Sequence, residues 1–323
     1  MNILLCSVGR RGELVKDFKK TLDENSKIIA TDCNKTAPAL YFADNFYIVP
    51  KIFEPNYIET ILEICKYEDI NVITTFIDPE IEILAMNSDK FKSIGVEVLA
   101  PDFKTALLCI DKFEMYNYLS KNNIKTILTF ENIESFKIGY LNGKINFPVF
   151  VKPRKGSGSV GARKVNNIQD LNEICNKEDD LIIQEFMDCV DLDVDVYVDT
   201  ISKKAVQIFS KRKLETKIGG ANKTISFKDD NLFSLVKEIV QLFGFNGPID
   251  IDFFYKEGIY YLSEINPRFG GAYLHAHECG VNFISCIENN INGIENIYEF
   301  GKYREGVIMM MYDSVVFIEE NEM

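Results

Sequence analysis

The chain has 323 residues, 46% of them hydrophobic, which is enough to bury a large core and to form two or three domains or subdomains. Its 49 acidic and 36 basic residues give a net charge of -13, which disfavours nucleic acid and anionic membranes as partners. No apolar run approaches the roughly 18 residues that cross a bilayer, and the eight cysteines form no Cys-x-x-Cys pair. We therefore expect a cytoplasmic protein with reduced thiols.

Residues 1–105 alternate short apolar runs with helical patterns, which predicts a parallel α/β sheet. The expected strands are 3–8, 27–31, 46–49, 72–76 and 97–100. The first strand runs into the segment SVGRRG at 7–12 and Asp32 closes the second, which imitates a dinucleotide-binding fingerprint. Ser7 replaces the first glycine of that pattern, and Arg10 and Arg11 would crowd a pyrophosphate, so a nicotinamide site is disfavoured. The two arginines are candidates for binding an anionic substrate instead.

A predicted strand at 147–152 leads into the glycine-rich segment PRKGSGSVGARKV at 153–165. Glycine permits positive φ and close backbone approach, so several N–H groups can point at phosphate oxygens. The segment lacks the Lys and Ser or Thr of a P-loop, and the next helix is expected only at about residue 170. Strand, glycine loop, strand is therefore predicted, as in a flexible flap over a nucleotide. The protein-kinase triplets His-Arg-Asp and Asp-Phe-Gly do not occur in the sequence.

Two further strands are predicted downstream of the flap. The first covers 181–183 and is followed by the segment QEFM at 184–187. The second covers 191–199, where Asp191, Asp193 and Asp195 alternate with apolar residues. This period of two predicts a half-buried strand with one polar face and one core face.

Residues 250–268 predict an antiparallel hairpin, because two apolar and aromatic arms flank the turn sequence Lys-Glu-Gly. A three-residue loop there would place Asp252 opposite Glu264 and Asp250 opposite Asn266, all on one face. Three carboxylates and an amide at neighbouring positions repel one another, and a hard cation such as Mg²⁺ resolves the conflict. The alternative is an acidic sheet face that is simply solvated.

Taken together, the order of these features resembles the ATP-grasp superfamily of carboxylate–amine ligases, and within it proteins similar to the carbamoyl-phosphate synthase large subunit. The resemblance covers nearly the whole chain. It implies an α/β (α+β ATP-grasp) fold, in which a parallel α/β pre-ATP-grasp domain at 1–105 precedes two subdomains with antiparallel sheets. The small subdomain at 106–188 would carry the glycine flap, and the large subdomain at 189–323 the metal-binding hairpin.

The resemblance also implies roles for individual residues. The nucleotide would be bound by Lys112, Lys152, Lys155, Gly156, Ser157, Gly158, Ser159, Gly161, Gln184, Glu185, Phe186, Met187 and Asp191. In that set the hinge 184–187 holds adenine, and Asp191 contacts the ribose where the family more often has Glu. Mg²⁺, or Mn²⁺ in its place, would be held by Asp252, Glu264 and Asn266. Charge on the transferred phosphoryl group would be stabilised by Arg268 and Lys152, with Arg212 and Lys211 as weaker candidates.

The implied reaction is an ATP- and Mg²⁺-dependent ligation of a small carboxylate to an amine or ammonia through an acyl phosphate. It asks the protein mainly to align two anions and to neutralise developing charge. Two alternatives stay open: a phosphotransferase of the same fold, and a non-catalytic ATP-binding regulatory protein. A homodimer is the default assembly. His275 and His277 diverge at their spacing on a helix, which argues against a paired metal site.

Overall fold

The computed structural model describes residues 1–156, 158, 160–217 and 220–320. Three sheets organise these residues, with five, seven and four strands. Their strands fall within the three predicted domains, whose boundaries at 105 and 188 stay predictions. None of the helices in the described ranges is both long and apolar enough to cross a bilayer.

The five-stranded sheet belongs to the N-terminal domain and is parallel throughout, as predicted. Its strands are β1 (Asn2–Cys6), β2 (Lys27–Asp32), β3 (Asn45–Ile48), β4 (Val72–Thr75) and β5 (Glu97–Val98), in the order β3-β2-β1-β4-β5. Its helices are α1 (Gly12–Thr21), α2 (Tyr57–Tyr67), α3 (Asp78–Met86), α4 (Ser88–Ser93) and α5 (Phe103–Ile110), with a 3-10 turn at Pro38–Phe42. The strand order reverses between β1 and β4, and in such sheets ligands bind outside the carboxyl ends at that point.

The four-stranded sheet carries the flap, and we call it the lid sheet. It contains β6 (Thr129–Phe130), β7 (Val149–Pro153), β8 (Arg163–Val165) and β9 (Leu181–Glu185), in the order β6-β9-β7-β8. The helices of this part are α6 (Lys112–Lys121), α7 (Ile133–Leu141) and α8 (Ile168–Cys175). Strands β7 and β8 pair antiparallel on either side of the glycine-rich segment, so the predicted strand, loop and strand are confirmed.

The seven-stranded sheet is the largest, and we call it the large sheet. It contains β10 (Val190–Val198), β11 (Ala205–Lys217), β12 (Gly220–Phe227), β13 (Gly247–Lys256), β14 (Ile259–Asn266), β15 (Glu299–Phe300) and β16 (Ile308–Met310). The order is β14-β13-β10-β11-β12-β16, with β15 beside β11. The helices of this part are α9 (Asp230–Gln241), α10 (Tyr273–Glu278) and α11 (Phe283–Ile291). Helix α1 packs against α10 and α11, so the N-terminal domain and the large sheet share one core.

Strand β10 corrects the prediction of a half-buried strand. It lies between β11 and β13 in the interior of the large sheet, and Asp193 and Asp195 are only 4% and 0% exposed. The period of two correctly separates the polar from the apolar side chains. It does not say that the polar side is covered as well.

Candidate active site

Strands β13 and β14 form the predicted hairpin with the predicted pairing: Asp252 faces Glu264 and Asp250 faces Asn266. Strand β10 extends both rows, because Asp193 faces Asp252 and Asp195 faces Asp250. Side chains directly opposite one another in a sheet lie on the same face. One side of the large sheet therefore carries a polar surface that we call the acidic face. Its members are Asp193, Asp195, Asp250, Asp252, Glu264 and Asn266.

The predicted three-residue loop of the hairpin is wrong. Lys256 faces Ile259, so the turn has only two residues, Glu257 and Gly258, with φ of 52° and 82°. Positive φ at both positions is characteristic of a type I′ turn, whose twist matches that of the strands. A bulge at Ser263 then inserts one extra residue into β14 and shifts the register by one. The shorter turn and the bulge cancel, which is why the predicted pairs are nevertheless correct.

A buried lysine compensates the rear of the acidic face. The Lys211 ammonium lies 2.7 Å from an oxygen of Asp193 and also contacts the Asp195 carboxylate. Burial opposes the charge of Lys211, but the two carboxylates outweigh burial and raise its pKa above the ordinary value. From the sequence, Lys211 was only a weaker candidate for contacting the phosphoryl group. Its contacts instead assign it to balancing charge inside the fold.

Three carboxylates at this rear position converge as metal ligands would, since oxygens of Asp193, Asp195 and Asp250 lie within 4.8 Å of one another. Burial raises the pKa of Asp195 to about 6 and that of Asp250 to about 7. The Lys211 ammonium already contacts Asp193 and Asp195, and Arg268 lies 3.1 Å from Asp250. The rear cluster is thus an ionic network compensated by protein cations.

Replacing Lys211 with methionine is expected to lower the free energy of unfolding by about 3 to 5 kcal/mol, because it leaves buried carboxylates unpaired. Denaturant unfolding followed by circular dichroism measures the effect. The matched control is Lys223→Met in neighbouring strand β12, where the ion pair with Glu215 is 2.7 Å long but exposed. Its loss should cost less than about 1 kcal/mol. Equal effects of the two substitutions would contradict the assignment.

The front of the acidic face differs, because its polar groups are only partly compensated. Glu264 lies 3.7 Å from the Lys112 ammonium, and Asn266 is 8% exposed without a side-chain hydrogen bond inside the described ranges. Burial raises the pKa of Glu264, while the charges of Lys152 and Lys112 act in the opposite direction. Asp252 binds the Lys213 ammonium at 2.5 Å. Two carboxylates and a free amide oxygen fit the oxygen donors that Mg²⁺ prefers.

Arg268 joins the hairpin to the N-terminal domain. Its guanidinium lies 2.8 Å from Asp78 at the start of α3 and 3.1 Å from Asp250. Burial opposes its charge, yet the two carboxylates raise the pKa of Arg268 above the ordinary value. Arg11 donates hydrogen bonds to the backbone carbonyls of residues 269 and 270, at 2.9 and 2.5 Å. The guanidinium of Arg11 is therefore already hydrogen-bonded within the protein. Arg10 is exposed, and its guanidinium lies 3.5 Å from the Asp313 carboxylate.

The structure does not bring Arg212 to the acidic face. Arg212 faces Leu192 and Ile225 in the ladders of β11, on the side opposite Lys211, and it is exposed. The lysine that does reach the front is Lys213, which lies 3.0 Å from Asp191 and 2.5 Å from Asp252. Lys213 was not among the residues predicted from the sequence. Alternate residues of a strand lie on the same face, which is why Asp191 and Asp193 were grouped. The same rule places Lys213 on the face of Lys211, so the sequence pattern could have identified it.

A cavity of about 260 Å³ separates the lid sheet from the front of the acidic face, and we call it the first cavity. Most of the predicted nucleotide-binding residues line it. They are Lys112, Lys152, Lys155, Gly156, Gln184, Glu185, Phe186, Met187 and Asp191, together with Lys213, Asp252 and Glu264. Gly158 and Gly161 lie in the flap outside this lining set, whereas Ser157 and Ser159 fall outside the described residues.

The glycines of the flap have backbone conformations that other residues rarely adopt, and a lysine hydrogen-bonds the flap to the rest of the site. Gly156, Gly158 and Gly161 have φ of 117°, 68° and 75°, a region that other residues adopt at a cost. The Lys112 ammonium donates a hydrogen bond to the carbonyl of Gly156 at 2.5 Å. Lys152 stands at the end of β7, where burial lowers its pKa and it has no ion pair among the described residues. Unlike Lys211, it is a cation without a bonded anion.

In the hinge 184–187, the first two residues are hydrogen-bonded within the protein, whereas the last two have backbone groups that are unpaired among the described residues. The Gln184 amide donates to the Thr129 hydroxyl at 2.8 Å, and the backbone of Glu185 pairs within the lid sheet. The backbone groups of Phe186 and Met187 form no hydrogen bonds within the described part of the chain. Unpaired backbone groups beside a cavity need an external partner, and the edge of an adenine ring offers both a donor and an acceptor.

The dinucleotide-like segment uses its polar groups internally. The Asp32 carboxylate accepts hydrogen bonds from the backbone N–H groups of Gly9 and Asn34, both at 2.9 Å. Glu80, which follows Asp78 at the start of α3, is fully buried. It accepts hydrogen bonds from Ser7 and Thr75 at 2.6 and 2.5 Å. Of the two acids after β4, only Asp78 therefore reaches the acidic face.

The two histidines lie on α10 and point to different partners. His275 is 1% exposed and hydrogen-bonds the Thr224 hydroxyl at 2.7 Å. Burial lowers the pKa of His275 to about 4, so the ring is neutral near pH 7. His277 lies 3.9 Å from Asp17 of α1. The contacts of both are structural.

A flap-bearing lid sheet that closes over a lysine-lined acidic sheet defines a nucleotide-dependent phosphoryl-transfer protein. Residues 109–272 match the family described as ATP-grasp domain, and residues 3–99 match the one described as PylC-like, N-terminal domain. The first match covers half of the chain, and the protein belongs to the ATP-grasp family. The predicted fold class is confirmed.

Individual relatives agree with this assignment. The chain is 25% identical over 300 residues to a carbamoyl-phosphate synthase of Methanobrevibacter smithii, covering 87% of this chain and 78% of that protein. It is 25% identical over 313 residues to a formate-dependent phosphoribosylglycinamide formyltransferase of Prochlorococcus marinus, covering 91% and 73%. The fold is similar to N5-carboxyaminoimidazole synthetase from Staphylococcus aureus complexed with ADP, with a TM-score of 0.75, 18% identity and coverage of 92% and 78%.

A second solved structure shares the fold. The biotin carboxylase domain of 2-oxoglutarate carboxylase from Hydrogenobacter thermophilus, with bound MgADP, gives a TM-score of 0.74 at 16% identity, covering 95% of this chain and 73% of that one. As a member of the ATP-grasp family, the chain is an ATP- and Mg²⁺-dependent ligase of the carboxylate–amine class. Its substrates are small molecules.

Proposed function

We propose that the first cavity is where the chain activates a small carboxylate with ATP and joins it to an amine. One observation carries the proposal. The unpaired cation Lys152, beside the glycine flap, and the under-compensated anion Glu264, on the acidic face, line the same cavity. A positive wall facing a negative wall, each only partly compensated by the protein, suits an anionic phosphate chain that is bound together with a cation.

In this proposal the nucleotide lies along the first cavity. The open backbone of Phe186 and Met187 receives the adenine edge, and Asp191 receives the ribose. The phosphates lie toward Lys112, Lys152 and the N–H groups of the flap, which supply positive charge and hydrogen bonds. Asp191 is bound to Lys213 at 3.0 Å, so ribose binding would compete with that contact.

Mg²⁺ would be held by Asp252, Glu264 and Asn266, and when bound it neutralises charge on the phosphates. Lys213 contacts Asp252 in the described structure, so it would compete with the cation for that carboxylate. Lys213 also lines the first cavity, where its ammonium would face the phosphates or the acceptor. Lys213 thereby replaces Arg212 as the second cation of β11 in the proposed machinery.

The proposed chemistry has two balanced steps. A carboxylate oxygen attacks the γ-phosphorus, the bond to the ADP oxygen breaks, and an acyl phosphate forms. The amine nitrogen then attacks the carbonyl carbon, the bond to the phosphate oxygen breaks, and the amine loses a proton as phosphate leaves. Lys152 stabilises charge on the transferred group, whereas Arg268, which Asp78 and Asp250 hold outside the lining of the first cavity, stays a predicted contact. Closure of the flap excludes the water that would hydrolyse the acyl phosphate.

Product analysis tests the proposal. A panel of carboxylates and amines is screened for ADP release, and the products of a responding pair are resolved by ³¹P NMR and mass spectrometry. We expect ADP, inorganic phosphate and an amide-type product whose formation requires the amine. A stable phosphorylated product would instead identify a phosphotransferase, and ATP binding without turnover a regulatory protein. A cytoplasmic location and a homodimer stay predictions.

A further inference from the structure

A second cavity, of about 250 Å³, lies beside the first, between the N-terminal domain and the hairpin. Helices α3 and α5 contribute Ile81, Glu82 and Ile110 to its lining, and residues 264–267 of the hairpin arm contribute the opposite part. The two cavities share Gly156 of the flap and Glu264 of the acidic face. A molecule in the second cavity would therefore lie next to the proposed site of phosphoryl transfer.

The lining of the second cavity is mostly apolar and contains no described lysine or arginine. Phe53, which is 78% exposed, contributes an aromatic ring, and Ile81, Ile110 and Pro267 contribute aliphatic surface. Such a cavity suits a ligand with a hydrocarbon body. A carboxylate placed inside it would find no basic side chain in the lining.

The charged groups of the second cavity are three carboxylates, and their compensation differs. Asp78 lies 2.8 Å from Arg268, and Glu264 lies 3.7 Å from Lys112. Glu82 forms neither an ion pair nor a hydrogen bond within residues 1–156, 158, 160–217 and 220–320. It is the carboxylate of this lining that has no protein cation. A carboxylate at an apolar wall is best satisfied by a cationic ligand.

We propose that the second cavity binds the amine substrate of the ligation, as an ammonium group on a short apolar chain, with Glu82 as its counter-ion. The inference rests on the proposed function and names the class of its amine. Ammonia would not need an apolar cavity of about 250 Å³. An amino acid would bring a carboxylate for which the lining holds no base. The substrate is therefore a primary amine whose carbon chain carries no anionic group inside the cavity.

The test uses n-butylammonium as the probe, n-butyrate as a probe of similar size and opposite charge, and n-butanol as a neutral one. Binding to the full chain with Mg²⁺ and ADP is measured by saturation-transfer-difference NMR titration. We expect n-butylammonium to bind with a Kd on the order of 1 mM, as befits a ligand of five heavy atoms. n-Butanol should bind several-fold more weakly, and n-butyrate should not bind.

Two substitutions locate the probe. Glu82→Gln removes the counter-ion at a partly exposed position and should weaken n-butylammonium about fivefold, the upper end of an accessible ion pair. Ile110→Trp fills the cavity and should abolish binding. Glu63→Gln, on the exposed side of α2, is the matched control and should change nothing. The glutamine variant keeps side-chain shape, so the test survives if the tryptophan variant misfolds.

Equal binding of n-butylammonium to wild type and Glu82→Gln would overturn the inference. So would equal binding of n-butyrate, or no binding of n-butylammonium to the wild type. ADP binding is titrated in the same samples. Loss of ADP and Mg²⁺ binding would contradict the proposed function itself, whereas intact ADP binding with unaltered n-butylammonium binding would refute only the assignment of the second cavity.

Discussion

Replacing Glu264 with glutamine is expected to lower ATP turnover by about 10³-fold, equivalent to ~4 kcal/mol of transition-state stabilisation. Glutamine keeps the size of the side chain and one oxygen, but it removes the charge that a divalent cation requires. In the structure Glu264 is the carboxylate of the first cavity that belongs to both cavities and faces Asp252 across the hairpin. Its loss should therefore affect metal binding more than folding. Steady-state ADP release at saturating ATP, measured over a range of Mg²⁺ concentrations, reports the effect.

The matched control is Glu257→Gln in the turn of the same hairpin. Glu257 is exposed and lies outside both cavities, so that variant should keep wild-type turnover and the wild-type dependence on Mg²⁺. Full activity of Glu264→Gln would exclude Glu264 as a metal ligand. An equal loss in both variants would point to general damage of the hairpin.

Replacing Lys152 with methionine should have two opposite consequences. Turnover should fall by about 10² to 10³-fold, because a positioned cation on the transferred phosphate contributes roughly that much. Stability should stay the same or rise, because burial disfavours the charged form of Lys152 and lowers its pKa, and the side chain has no ion pair among the described residues. The methionine keeps most of the apolar stem and removes the charge.

Thermal unfolding without nucleotide, together with ADP release, checks both consequences in one variant. Lys144→Met, at an exposed position in the same subdomain, is the control and should change neither quantity. A clear drop in melting temperature for Lys152→Met would show that Lys152 supports the fold. Retained turnover would remove it from the proposed phosphate site.

The acidic face is divided by its cations. At the rear, Lys211 contacts Asp193 and Asp195, and Arg268 contacts Asp250, so each of these carboxylates has a protein cation beside it. At the front, Glu264 and Asn266 are left with weak or no partners, and Asp252 is held by a lysine at the cavity wall. A protein that buries so many carboxylates on one face must neutralise each of them. At the front, we propose that a bound ligand does this.

Sequence patterns predicted what depends on local periodicity. The parallel strands of the N-terminal domain, the glycine flap between β7 and β8, and the rows of the hairpin all follow from apolar periods and turn residues. The hairpin also shows the limit of such reasoning. Its rows were right although the turn was one residue too long, because the bulge at Ser263 was equally invisible.

Features that depend on distant residues were not predictable in the same way. The burial of Asp193 and Asp195 depends on what covers β10, which its own alternation does not contain. The ion pair of Arg268 with Asp78 spans 190 positions. Lys213, and not Arg212, lies on the acidic face because of the register between β10 and β11. That register is known only from the structure. In each case the deciding information was a partner residue far away in the sequence, which only the fold supplies.

A crystal structure with Mn²⁺ and a non-hydrolysable ATP analogue tests the division of the acidic face most directly, because anomalous scattering locates the cation without assumptions about its ligands. We expect the Mn²⁺ peak to lie within ligand distance of Asp252, Glu264 and Asn266, with the adenine against Phe186 and Met187. A peak within the cluster of Asp193, Asp195 and Asp250, or a nucleotide at the 7–12 loop, would contradict the proposed site.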